Sequence, residues 1–113
     1  MAGVTSALCT SFKVELLEGD HDFNNGADAF KVALFKANAS ITGTYDATTT
    51  NYSDMTGNSD ELPNGSGYTT GGYALTNVNP TSSGTTAFTD FSANAAWSSA
   101  TFTTRGCLIY NSN

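Results

Sequence analysis

The chain has 113 residues and a mass of 11.7 kDa, enough for one compact domain over residues 1–113 and too little for two. Four basic residues against ten acidic ones give a formal charge of −6, a balance that repels phosphate backbones and anionic lipid and excludes sequence-independent nucleic-acid binding. No uninterrupted apolar run approaches the ~18–20 residues that span a bilayer, and residues 1–10 lack the positive n-region of a secretory signal peptide.

Hydrophobic residues are 39% of the chain and charged residues 12%, below the roughly 45–50% and about 25% of average globular proteins. Thr (18), Ser (12) and Asn (11) fill the deficit. Thr suits a pleated surface, while Asn, Ser and Gly suit tight turns. Seven Phe, five Tyr and one Trp are more aromatic side chain than a disordered segment carries. The composition therefore predicts an ordered, β-rich domain.

In chain order, Thr5 to Glu18 places Leu8, Phe12 and Leu16 on one helical stripe, with Gly19 as a stop signal. A short N-terminal helix is expected there. Asp20 to Asp28 is a polar turn, and Ala29 to Lys36 alternates as a strand covered on both faces. Ala37 to Gly67 is an excursion of short turns or a small strand, docked through Tyr45, Tyr52, Met55 and Leu62. Tyr68 to Val78 and Thr85 to Phe91 read as a hairpin around Asn79–Gly84. Ala100 to Tyr110 is the final strand, and Gly106 within it suggests a bulge or a close backbone approach. The fold class is mainly β, a small antiparallel sandwich or barrel-like domain of five or six strands with one short helix.

Candidate chemistry is sparse. His21 sits between Asp20 and Asp22, but sequence neighbours in a turn point in different directions, and a second His for a metal site is missing. Asp54, Asp60 and Glu61, with Asn58 nearby, do not match a calcium-loop spacing and read as a solvated acidic loop. Gly65-Ser-Gly67 and Gly71-Gly72 lack the Lys and helix of a phosphate cradle, and no G-x-S-x-G is present. No enzyme, metal or cofactor is expected. Cys9 and Cys107 are compatible with a long-loop disulfide or with two reduced thiols. Arg105, the single Arg, has the planar fork to pair with a carboxylate such as Asp90 or to serve a subunit contact.

Four blocks carry a resemblance: Ala29-Phe-Lys-Val-Ala-Leu-Phe35, Tyr68-Thr-Thr-Gly-Gly-Tyr-Ala-Leu-Thr76, Thr86-Ala-Phe-Thr-Asp-Phe91 and Trp97 to Asn111. Through these blocks, 37 of its 113 residues, the chain resembles a family of small virion proteins of tailed bacteriophages that look like head decoration, or cement, proteins. The resemblance implies a β-sandwich-like module on the outer head surface, binding the major capsid protein in many copies as a trimer or dimer. It implies that Trp97, Phe102, Gly106 and Tyr110 define the fold, and Cys107 departs from the usual small residue. Longer members continue with a further strand pair past the Ile-Tyr-Asn block, so an unpaired sheet edge, completed by a neighbouring subunit or by the capsid shell, is also implied. Tyr45, Tyr52, Tyr73 and Arg105 are the expected capsid or subunit contacts. The alternative is a tail or head-fibre component that stacks exposed Tyr and Trp97 on host glycans.

Overall fold

The computed structural model describes residues 2–113, so Met1 lies outside the described residues. Seven strands and two helices follow in the order β1 (Gly3–Val4), α1 (Thr10–Glu18), β2 (Phe30–Leu34), β3 (Thr44–Tyr45), α2 (Tyr52–Gly57), β4 (Tyr73–Ala74), β5 (Asn77–Ser83), β6 (Thr86–Phe91) and β7 (Cys107–Asn111). They form three sheets: a parallel β1–β3 ladder, an antiparallel sheet in the order β4-β2-β7, and the β5–β6 hairpin. The mainly β expectation holds at this level.

Strand β2 is the centre of the molecule. Its alternation sends Ala33 and, just beyond its end, Phe35 to one face, where they meet Ile41, Tyr45 and Met55, with Val4 and Leu108 packed around them. Leu34 points the other way, to Leu62 and Tyr68, with Trp97 and Phe102 at the margin. A strand buried on both faces must be apolar at successive positions, which Val32, Ala33 and Leu34, with Phe35 just beyond, supply.

The excursion after β2 is docked as its anchors suggested, since Tyr45, Met55 and Leu62 are all buried. Helix α2 within it carries a capping box, Asn51 and Asp54 each bonding the other's backbone, a start signal that the sequence reading passed over.

Several elements differ from expectation. Helix α1 begins at Thr10 rather than Thr5, and its C-cap Gly19 is left-handed at φ 84°, as a glycine stop requires. Of the expected stripe only Phe12 is partly buried, against His21 and Phe23; Leu8 and Leu16 are exposed, as are Val14 and Leu17, Leu17 at 92%. Apolar residues surround the helix, so one face cannot bury them all. Within the expected strand Tyr68–Val78 only Tyr73–Ala74, which pairs with β2, and the first two residues of β5 are extended, and the hairpin turns at Gly84-Thr85, so β5 runs through the segment expected as the turn. Pro80 is accommodated by a register irregularity between Val78 and Thr81.

Gly106 is neither a bulge within a strand nor a close approach. It precedes β7, and a Cβ there would meet only Val4 Cγ1 at an ordinary 3.6 Å. The close approach is at Gly72, φ +90°, where a Cβ would lie 2.0 Å from the carbonyl oxygen of Val32. Only glycine lets β4 begin that near to β2.

Candidate functional site

Two polar networks and one apolar surface are candidates for function. The first network is built on Asp60 and Glu61, which the backbone holds against the end of β2: Lys36 N–H donates to the Asp60 carbonyl and Leu62 N–H to the Leu34 carbonyl, each at 2.9 Å. The expected solvated acidic loop is thus a buried one, Asp60 being 0% exposed. Its carboxylate accepts from Thr42 N–H at 2.9 Å, Gly43 N–H at 2.8 Å and the Tyr45 hydroxyl at 2.6 Å. Burial opposes ionisation of Asp60, but these donors outweigh it and hold its carboxyl below the ordinary value. Glu61 accepts from the Tyr52 hydroxyl, from Tyr68 at 2.6 Å and from Gly71 N–H at 2.7 Å. Every partner of both carboxylates is a donor of the protein itself, the arrangement of a satisfied structural network rather than of cation ligation. No group of three or more metal-ligating side chains occurs among the described residues.

The second network centres on His21. Its Nε2 lies 3.1 Å from Oε1 of Glu15, and its Nδ1 lies 3.0 Å from Nδ2 of Asn111. The Asn111 amide also donates to Asp28 at 2.8 Å. The ring packs on Phe12 at a centroid distance of 4.8 Å. Asp20 and Asp22 are not its partners; Glu15, six residues earlier on α1, is. This network ties α1 to the end of β7.

The expected contact residues fall into different environments. Tyr45 is 4% exposed, and its ring packs on Phe35 at 4.6 Å, so it is a core residue, not a surface anchor. Tyr52 is half-buried, its ring stacked on Tyr110 at 4.2 Å and 5°. Tyr73 meets Trp97 edge-on at 5.8 Å. Arg105 makes no ion pair with Asp90; its guanidinium donates to the Val4 carbonyl at 2.9 Å, tying the N-terminal arm to the segment before β7. Of the expected fold-defining residues, Trp97 and Phe102 lie 6.3 Å apart, edge to face, beside Tyr68, and the Tyr110 hydroxyl donates to the Gly71 carbonyl at 2.7 Å. Both thiols are free, with Cys107 exposed.

The apolar surface is what the sequence reading missed. A groove of about 920 Å³ follows β7, with Phe30, Phe91 and Ile109 on one side and Phe35, Tyr52 and Tyr110 on the other. Leu8 and, from α1, Phe12 and Glu15 also line it, while Val14, Leu16 and Leu17 of α1 are exposed. The chain presents 6919 Å² to solvent, against roughly 5,900 Å² for a folded monomer of this mass. Its radius of gyration is 14.8 Å, against about 13 Å for a compact chain of this length.

No protein-family model matches the chain, and no curated protein or solved structure is significantly similar to it.

Proposed function

We propose that this chain is a non-enzymatic decoration protein of a tailed-bacteriophage head, binding the outer surface of the shell and holding major capsid subunits together in several copies. The observation that carries the reading is the number of exposed apolar side chains: Leu8, Val14, Leu16 and Leu17 in and just before α1, and Ile109 on β7. Burying one such side chain contributes ~1.5–3 kcal/mol, and a symmetric oligomer multiplies modest contacts through effective concentration. The four sequence blocks that resemble small virion proteins supply the identity of the shell.

The sandwich reading is part of the proposal. The β4-β2-β7 sheet and the β1–β3 ladder share one core, to which Ala33, Tyr45, Val4 and Leu108 all contribute, and we take these as its two layers. The glycan alternative draws less support, because Trp97, the ring it named, packs against Tyr73 and Phe102. The test is co-sedimentation of the purified chain with phage heads that lack it. Saturable binding at a fixed ratio to the major capsid protein is expected, while binding to host cells or glycans and not to heads overturns the reading.

A further inference from the structure

The register between β2 and β7 decides which backbone groups of β7 are used. Phe35 N–H donates to the Gly106 carbonyl at 2.9 Å and Ser112 N–H to the Ala29 carbonyl at 2.8 Å. The hydrogen-bonded pairs of this antiparallel ladder are therefore Ala33 with Leu108 and Lys31 with Tyr110. Cys107, Ile109 and Asn111 turn their N–H and C=O groups the other way, along the outer edge, where they meet no partner among the described residues. Such an edge is a template for another strand. It opens on the 920 Å³ groove, whose apolar walls would cover both faces of an added strand.

The same molecule carries a strand of matching form. From Val78 to Asp90 every residue of the β5–β6 hairpin is exposed, and an isolated two-stranded hairpin is marginal in water. Pro80 blunts the β5 edge, having no N–H. On β6 the two-residue turn makes Ser83 with Thr86 the closing pair, and Thr81 with Phe88 follows two residues on, so Ala87 and Thr89 direct their backbone groups outward. Six residues of β6 span about 20 Å and five of β7 about 17 Å.

Three considerations select a hairpin from a second copy over other occupants. The excess surface of about 1,000 Å² relative to an ordinary monomer is close to the ≈ 800 Å² per partner that a stable interface buries. Between Asn77 and Phe91 only Asp90 is charged, so the −6 charge of the chain raises little repulsion there. The groove is walled by the N-terminal arm and Phe12 of α1; a second β7 would bring its own walls into the same space, whereas a hairpin brings only two strands.

We propose that the outer edge of β7 is an acceptor for the β6 edge of the hairpin from a second copy of this chain, forming a continuous main-chain ladder in the groove. This specifies the surface by which the several copies of the proposed function associate and rests on that reading only for the expectation of more than one copy; the test uses the chain without heads, so its outcome is independent of capsid binding.

The test is complementation followed by sedimentation equilibrium. Ile109→Pro removes an outward N–H of the acceptor and leaves the bonds to β2 intact; Ala87→Pro does the same to the donor. Where circular dichroism shows that Ile109→Pro disturbs the fold, Ile109→Lys replaces it. The native chain is expected to self-associate at micromolar concentration. In a closed ring or reciprocal dimer each edge variant weakens association about tenfold or more, and an equimolar mixture of the two recovers a complex with one intact acceptor and one intact donor. A native chain that stays monomeric overturns the proposal, as does donor-edge proline substitution without effect, which would indicate β7 pairing with another β7. A mixture that remains monomeric overturns it equally.

Discussion

The hydroxyl of Tyr68 donates to Oε2 of Glu61 at 2.6 Å while accepting the N–H of Leu34 at 3.0 Å. One side chain thus joins the central strand to a buried carboxylate and, through Glu61, to Tyr52 and Gly71. Tyr68→Phe keeps the ring and removes both bonds, leaving a buried N–H and a carboxylate short of a donor. A loss of about 3 kcal/mol is expected by urea denaturation; a loss below about 0.5 kcal/mol would show that the hydroxyl contributes nothing net.

Asp60 predicts the acid limb of the stability curve. Its folded carboxyl is held below the unfolded value, so its contribution is complete above about pH 4 and is lost as the pH falls through the lower folded value. Asp60→Asn turns an amide group toward donors that need an acceptor, at a cost of about 3 kcal/mol at pH 7. The gap between native and variant closes on acidification. An equal gap at pH 7 and pH 2 contradicts this.

At high pH the sign reverses. Burial, and then hydrogen bonding to Asp60, push the Tyr45 hydroxyl up to about 12. Tyr52 and Tyr68 are raised by burial and by Glu61, and Tyr110 by burial and the Glu61 charge. Their stabilising contribution is present below the unfolded value near 10 and is lost as the pH rises through the folded values. Absorbance titration near 295 nm is expected to show these four hydroxyls ionising later than a free tyrosine, above the ordinary value near 10; ionisation of all four in the native state at pH 10 contradicts the burial argument.

The two glycines at the ends of the β2 sheet separate sharply. Gly72→Ala forces a Cβ against the Val32 carbonyl at 2.0 Å in a left-handed backbone and is expected to cost at least ~3 kcal/mol. Gly106→Ala meets only Val4 at 3.6 Å and is expected to stay within about 0.5 kcal/mol. Thermal melts of both variants check the pair; similar losses would mean that Gly106 is constrained too.

What the sequence revealed depends on how local the signal was. Ala29–Lys36 was legible because a strand buried on both faces is apolar at successive positions, and the Gly19 stop because a left-handed cap needs glycine. The Asn79–Gly84 segment misled because Pro80 reads as a turn, whereas an exposed edge strand tolerates a missing N–H. Asp60 and Glu61 read as solvated because their partners, Tyr45, Tyr52 and Tyr68, are contributed by separate segments. Gly106 looked constrained from its place among Thr and apolar residues, but the tight approach belongs to Gly72, and that follows from how close β4 lies to β2. The groove was invisible for the same reason: Phe30, Phe91, Tyr52 and Ile109 converge only in three dimensions.

The central proposal is attachment to a phage head surface, and a cryo-electron-microscopy map of tailed-phage particles incubated with the purified chain tests it most directly. The account predicts density for the chain on the outside of the head, at local symmetry axes or seams between capsid subunits, with the α1 side chains Leu16 and Leu17 against the shell. Density on the tail, or none on the particle, would contradict it.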